Sequence, residues 1–160
     1  MSETILKDIG LYKSRIISTL LNSTDICEAL LSKEQFTEED IDSLHYTQVF
    51  PYLYIDEAQT EVLPYICVEV NVPSVPTRTV KDMSVIIFVY SHKKCMKYSK
   101  KGFIGTRVDI ISDLVERQLR DMDNLGIGKL QLKSVTHLFP SNMYYGRQMI
   151  FNIPDFKVKR

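Results

Sequence analysis

Met83-Ser84-Val85-Ile86-Ile87-Phe88-Val89-Tyr90 is the stretch that decides how this chain folds. Val85 to Val89 leave no polar side to turn toward water, so the segment reads as a strand buried on both faces, at the centre of a sheet. Upstream, Ile66, Val68, Val70 and Val72 alternate with Tyr65, Cys67, Glu69 and Asn71. That period of two gives a second strand with one apolar face. Pro73-Ser74-Val75-Pro76-Thr77 reads as the loop that ends it. Further upstream, Val49-Phe50-Pro51-Tyr52-Leu53-Tyr54-Ile55 is aromatic and β-branched, and Pro51 makes it an edge strand or an interrupted one. Asp56-Glu57-Ala58-Gln59 then reads as a turn.

Downstream of the central strand, Ser91 to Lys101 reads as a loop carrying Lys93, Lys94, Lys97, Lys100 and Lys101, closed by Gly102 and Gly105. Thr106 and Asp109 form a capping-box variant that opens the best helix in the chain. Val108, Ile111, Val115, Leu119 and Met122 trace its buried stripe, and it is expected to stop near Asn124, before Gly126 and Gly128. Two more strands follow: Lys129 to Lys133, with its leucines facing inward, and Tyr145 to Ile153, with Met149, Phe151 and Ile153 on one face. Pro140-Ser141-Asn142 lies in the hairpin between them. Ahead of the strands, apolar residues at helical spacing predict a helix over about 3–21 and a shorter one over about 25–32. Thr37-Glu38-Glu39-Asp40 resembles a capping box for a third, with Asp40 where Glu or Gln is usual. The expected fold is α+β: a mostly antiparallel sheet of about five strands, one long helix packed on it and short helices before it. It is read as one domain, with a helical part over 1–45, an α+β core over 46–156 and a basic tail over 157–160.

A chain of 160 residues with 44% apolar and 25% charged residues has an ordinary globular composition. Lys plus Arg and Asp plus Glu are 20 each, a balance that argues against generic binding to nucleic acid or membrane surfaces. No apolar run approaches the length of a membrane span, and the opening residues lack the basic and apolar regions of a signal peptide. Three cysteines, Cys27, Cys67 and Cys95, are expected as free thiols. The balance hides an asymmetry. Residues 1–80 carry five basic and thirteen acidic side chains, and residues 81–160 carry fifteen and seven. Either the halves fold together and the charges intermix, or the subunit has one acidic and one basic flank, which suits head-to-tail association.

No constellation in the sequence supports catalysis. His92 and Cys95 have metal-ligand spacing, but a structural zinc needs a second pair and none is near. Cys27 and Cys67 read as packing residues, and no base or orienter is apparent for Cys95. Gly126-Ile127-Gly128-Lys129 fails as a phosphate loop because Asp123 and Leu130 stand where Gly and Ser or Thr are required. Gly102-Phe103-Ile104-Gly105 has the spacing of a KH-type backbone clamp without a helix upstream of it. Glu38, Glu39, Asp40 and Asp42 read as helix-start acids. Glu69 lacks the lysine two residues on that a nuclease arrangement would supply. No cofactor or metal is expected.

One pattern remains in the second half. Val49-Phe50-Pro51-Tyr52 precedes the two strands of Tyr65 to Tyr90. A basic loop comes next, then a helix opening Thr106-Arg107-Val108-Asp109-Ile110-Ile111, then Leu125-Gly126-Ile127-Gly128-Lys129-Leu130-Gln131-Leu132 and Tyr144-Tyr145-Gly146-Arg147-Gln148-Met149. Over roughly 46–156 this order resembles the tail terminator, or tail-completion, proteins of tailed bacteriophages. The resemblance implies a virion protein of the neck, assembled in the host cytoplasm. It implies a non-catalytic ring, commonly a hexamer, that caps the tail tube, ends its polymerisation and joins it to the head connector. A different neck protein, an adaptor or a stopper, is the alternative, and a small KH-like nucleic-acid-binding module is another. The expected partners are other copies of the chain, the tail tube protein, connector proteins and DNA passing through the lumen, with no membrane. Lys93, Lys94, Lys97, Lys100, Lys101 and Arg107 are the candidate contacts, either with an acidic neighbouring subunit or with that DNA.

Overall fold

The computed structural model of the chain describes residues 5–75, 82–120, 122–123 and 129–153. Helices α1 (Ile5–Leu21), α2 (Thr24–Leu31) and α3 (Glu38–Asp42) come first, then strands β1 (Val49–Phe50), β2 (Pro64–Ser74) and β3 (Asp82–His92). Helix α4 (Arg107–Leu119) and the hairpin β4 (Gln131–Ser141) and β5 (Tyr144–Asn152) complete the fold. The sheet runs β1-β2-β3-β5-β4, so β3 is the middle strand. β1 lies parallel to β2 and every other pair is antiparallel. This is the α+β architecture read from the sequence.

Capping fixes the helix starts. Thr37 accepts from the Asp40 amide at 3.2 Å and Asp40 accepts from the Thr37 amide at 2.9 Å. The same reciprocal pair joins Thr106 and Asp109. Aspartate therefore completes both boxes in place of the longer acids, satisfying amides that would otherwise lack acceptors.

The helix-side core is aliphatic. It gathers Ile16 and Leu20 from α1, Ile26 and Leu30 from α2, Ile66, Val68 and Val70 from β2, Val85, Ile87 and Val89 from β3, Val108, Ile111 and Val115 from α4, and Met149 and Phe151 from β5. α1 lies over β2, and α4 over β3 and β5. Two helices thus share the sheet face where one was expected, and α1, with 17 residues, is longer than α4, with 13. The opposite face holds a smaller aromatic core of Phe50, Tyr65, Cys67, Tyr90 and Tyr144, flanked by Tyr54, Ile55 and Leu63 of the segment that crosses it. Gly146 sits opposite Tyr90, where a Cβ would run into the Val89 carbonyl, so only glycine lets the two strands approach there.

The strands depart from the sequence reading at their ends. β3 is buried on both faces only from Tyr90 onward. Before that, Met83, Val85, Ile87 and Val89 are buried, while Ser84, Ile86 and Phe88 are half-covered. β2 continues through Pro73 and Ser74, past a register shift after Asn71, because a proline at an irregular end disturbs no regular ladder. β4 is far longer than Lys129 to Lys133. It runs to Ser141 and includes Pro140, tolerated because the strand is at the sheet edge, and the tight turn is Asn142 and Met143. Leu130 is buried as expected, but Leu132, on the edge strand, is 38% exposed. α4 ends at Leu119, and Met122 packs on the core from beyond it. The expected stop at Asn124, Gly126 and Gly128, the end of the loop at Pro76 and Thr77, and the basic tail 157–160 lie outside the described residues.

Candidate functional site

The cation-rich segment between β3 and α4 divides into outward and inward side chains. β3 delivers it through Ser91 and His92, both buried. His92 Nδ1 accepts from the Lys94 amide at 3.1 Å, which sets a 3-10 turn over Lys93–Cys95. Cys95 Sγ lies 2.9 Å from Ser91 Oγ. The His92 and Cys95 pair thus serves turn geometry, and among the described residues no three His, Cys, Asp or Glu side chains converge. The Lys93 amide donates to the Met143 carbonyl at 2.9 Å, which fastens the turn to the tip of the β4–β5 hairpin.

Lys93, Lys94, Lys97 and Lys101 are exposed. Lys100 is not. Its ammonium lies 3.0 Å from Asp25 Oδ1 and 3.5 Å from Glu28 Oε1, both on α2. The hydrogen bond to Asp25 raises the Lys100 pKa against the opposing effect of burial. Arg107 is 7% exposed. Its Nε donates to the Cys95 carbonyl and its Nη1 to the Ala29 carbonyl, each at 2.7 Å, and its guanidinium lies 4.4 Å from the centroid of the Tyr98 ring. One planar fork thus binds the segment to α2 through two carbonyls, a geometry suited to arginine and not to lysine. The candidate contacts read from the sequence therefore separate: four lysines face outward, while Lys100 and Arg107 are engaged inside their own chain.

The Gly102–Gly105 turn is conformational. Gly105 has φ +127, and a Cβ there would collide with Asp109, the residue that completes the α4 cap. Phe103 lies beneath Arg117, 4.8 Å from ring centroid to guanidinium, and Ile104 is 98% exposed at the tip. The chain upstream is the 3-10 turn and irregular backbone, not the helix that a KH clamp has on that side. Asp109 also accepts from Arg147 Nη2 at 3.1 Å, joining α4 to β5. Burial pushes the Asp109 pKa up, but the Thr106 amide and Arg147 outweigh it and hold the carboxyl below its ordinary value.

Sequence reasoning missed what lies at the two edges of the sheet. β4 pairs only with β5 among the described residues, leaving its outer backbone groups without a ladder. Leu132 and Val135 stand opposite Phe151 and Met149, on the helix side. Val135 is 45% and Phe139 61% exposed. Exposed β-branched and aromatic side chains on a long strand late in the chain were the available signal. At the other edge, a cleft of about 300 Å³ opens between α1 and the 45–51 segment, lined by Lys13, Ser14, Ile17, Tyr46 and Pro51 among others. Exposed Tyr46 lines it, and exposed Tyr52 and Leu53 follow Pro51 in sequence. No helix of the described residues is long and apolar enough to cross a membrane.

The YomW family model matches residues 23–153, from the N-cap of α2 through the last strand. That family is phage-derived. No curated protein and no solved structure matches the chain significantly. With the match running through the whole sheet and three of the four helices, the chain belongs to the YomW family of phage proteins.

Proposed function

We propose that the chain is a structural subunit of a phage neck: a tail terminator that forms a ring, most simply of six copies, on the last ring of the tail tube. The observation that carries this reading is membership of a phage-derived family through the whole α+β core, in the element order that resembles tail terminators. The mechanism is geometric. A closed ring seated on the tube removes the surface on which the next ring of tube protein would add. Its far face then presents a docking surface to the head connector. The outward Lys93, Lys94, Lys97 and Lys101 give each subunit a basic end. No carboxylate occurs between Met83 and Val108 to neutralise them locally, so a ring repeats that charge around its circumference. Such a charged annulus attracts an acidic connector surface or the DNA phosphates that pass through the neck.

The test is polymerisation of the same phage's purified tail tube protein with and without this chain, with tube lengths and ends read by electron microscopy. The account expects short tubes capped at one end. It expects the Lys93→Glu, Lys97→Glu, Lys101→Glu triple variant to keep its fold and lose tail-to-head joining. Tubes of unchanged length with uncapped ends would overturn the terminator reading. Binding to connector protein alone would replace it with an adaptor or stopper.

A further inference from the structure

The two edges of the sheet are unlike in a complementary way. From Glu34 through Thr77 the chain has nine carboxylates and no lysine or arginine. Exposed Glu38, Glu39 and Asp42 of this stretch are on α3, which leads into β1 and shares Ser18 and Leu21 of α1 with the cleft. From Asn124 through Pro154 the reverse holds: there is no carboxylate, and β4 exposes Lys133 and His137. Both edges also expose apolar side chains: Val135 and Phe139 on β4, and Tyr46, Tyr52 and Leu53 around β1.

We propose that the β4 edge of one copy docks against the acidic β1 edge of a second copy, head to tail. This rests on the reading of the chain as a ring-forming subunit and names the contact that closes the ring. A two-fold pairing of β4 with β4 would set basic against basic, whereas edge-to-edge succession sets Lys133 and His137 against Glu38, Glu39 and Asp42 of α3. The contact is made by side chains and not by strand addition. The outer side of β1 is already taken, because the Tyr46 amide donates to the Val49 carbonyl at 2.8 Å. β4 itself carries Lys133, Pro140 and two register shifts, features that resist open-ended strand pairing. Phe139 is the apolar anchor on β4, and the cleft beside Tyr46 and Pro51 is its receiving surface.

The test compares the wild-type chain with two variants by sedimentation over a wide concentration range. Phe139→Asp breaks the basic edge, and Glu38→Lys with Asp42→Lys breaks the acidic one. Circular dichroism checks that each is folded, and Val135→Lys replaces Phe139→Asp if that variant is not. Each variant alone should associate at least about 30-fold more weakly than wild type. An equimolar mixture should recover a one-to-one dimer, because each copy brings one intact edge. A wild-type assembly left undisturbed by either folded variant overturns the edge assignment while leaving the ring reading in place. Two defective variants that do not complement on mixing overturn head-to-tail geometry. A wild-type chain that stays monomeric, both alone at about 1 mM and on tail tubes, overturns this contact and the ring reading together.

Discussion

The cations between β3 and α4 fall into two regions that the sequence presents as one. Lys93, Lys94, Lys97 and Lys101 end in water, while Lys100 and Arg107 end on α2. The difference is in the partners. Arg107 reaches two backbone carbonyls, 12 and 78 residues away in sequence, and Lys100 reaches two carboxylates in the acidic first half. A run of like charge is therefore both a fastening of the fold and an outward surface. Burial decides which residue does which. The opposed charges of the two halves are partly spent inside the subunit, through Lys100 with Asp25 and Glu28. Among the described residues, Glu38, Glu39 and Asp42 of α3 and Lys133 of β4 remain exposed.

The sharpest way to break this comparison is Arg107→Ala. It strands the Ala29 and Cys95 carbonyls and should destabilise the chain by about 3 kcal/mol, read as a lower midpoint of urea unfolding. Arg107→Lys should recover less than half of that, because a single ammonium cannot reproduce the fork. A loss below about 0.5 kcal/mol would put Arg107 with the outward lysines. Lys100→Ala comes next. Its carboxylate partners are partly in water, so the loss should be about 1 kcal/mol and should shrink at high salt. A loss as large as that of Arg107→Ala would contradict the graded account. The outward triple reversal should have the smallest effect on stability, within about 0.5 kcal/mol, while disrupting tail-to-head joining.

What the sequence made legible follows from how local each signal is. Thr37 with Asp40 and Thr106 with Asp109 act over three residues, and both caps form as read. The Val85–Val89 run places the central strand, because the middle of a sheet tolerates no polar stretch there. Non-local partners were not legible. Tyr65 and Cys67 read as the polar side of β2, yet the chain after β1 crosses that side and buries them in an aromatic core. There Cys67, its thiol pushed up to about 11 by burial, accepts from the Tyr54 amide. The length of β4 was hidden by Pro140, which usually ends a strand and is harmless at an edge. The Arg107 fork gave no sequence signal at all, because its acceptors are backbone carbonyls, which every residue possesses. Of the candidate site, the lysines were visible as a run. Their division into inner and outer sets, and the exposed β4 edge, required the packing of α2 and α4.

The most direct test of the central claim is native mass spectrometry of the wild-type chain across a hundredfold concentration range, alone and with purified tail tubes. The account predicts one closed assembly of fixed stoichiometry, six copies, either free in solution or seated at the tube end. A strict monomer in both settings, or an open series of sizes with no closed species, would contradict it.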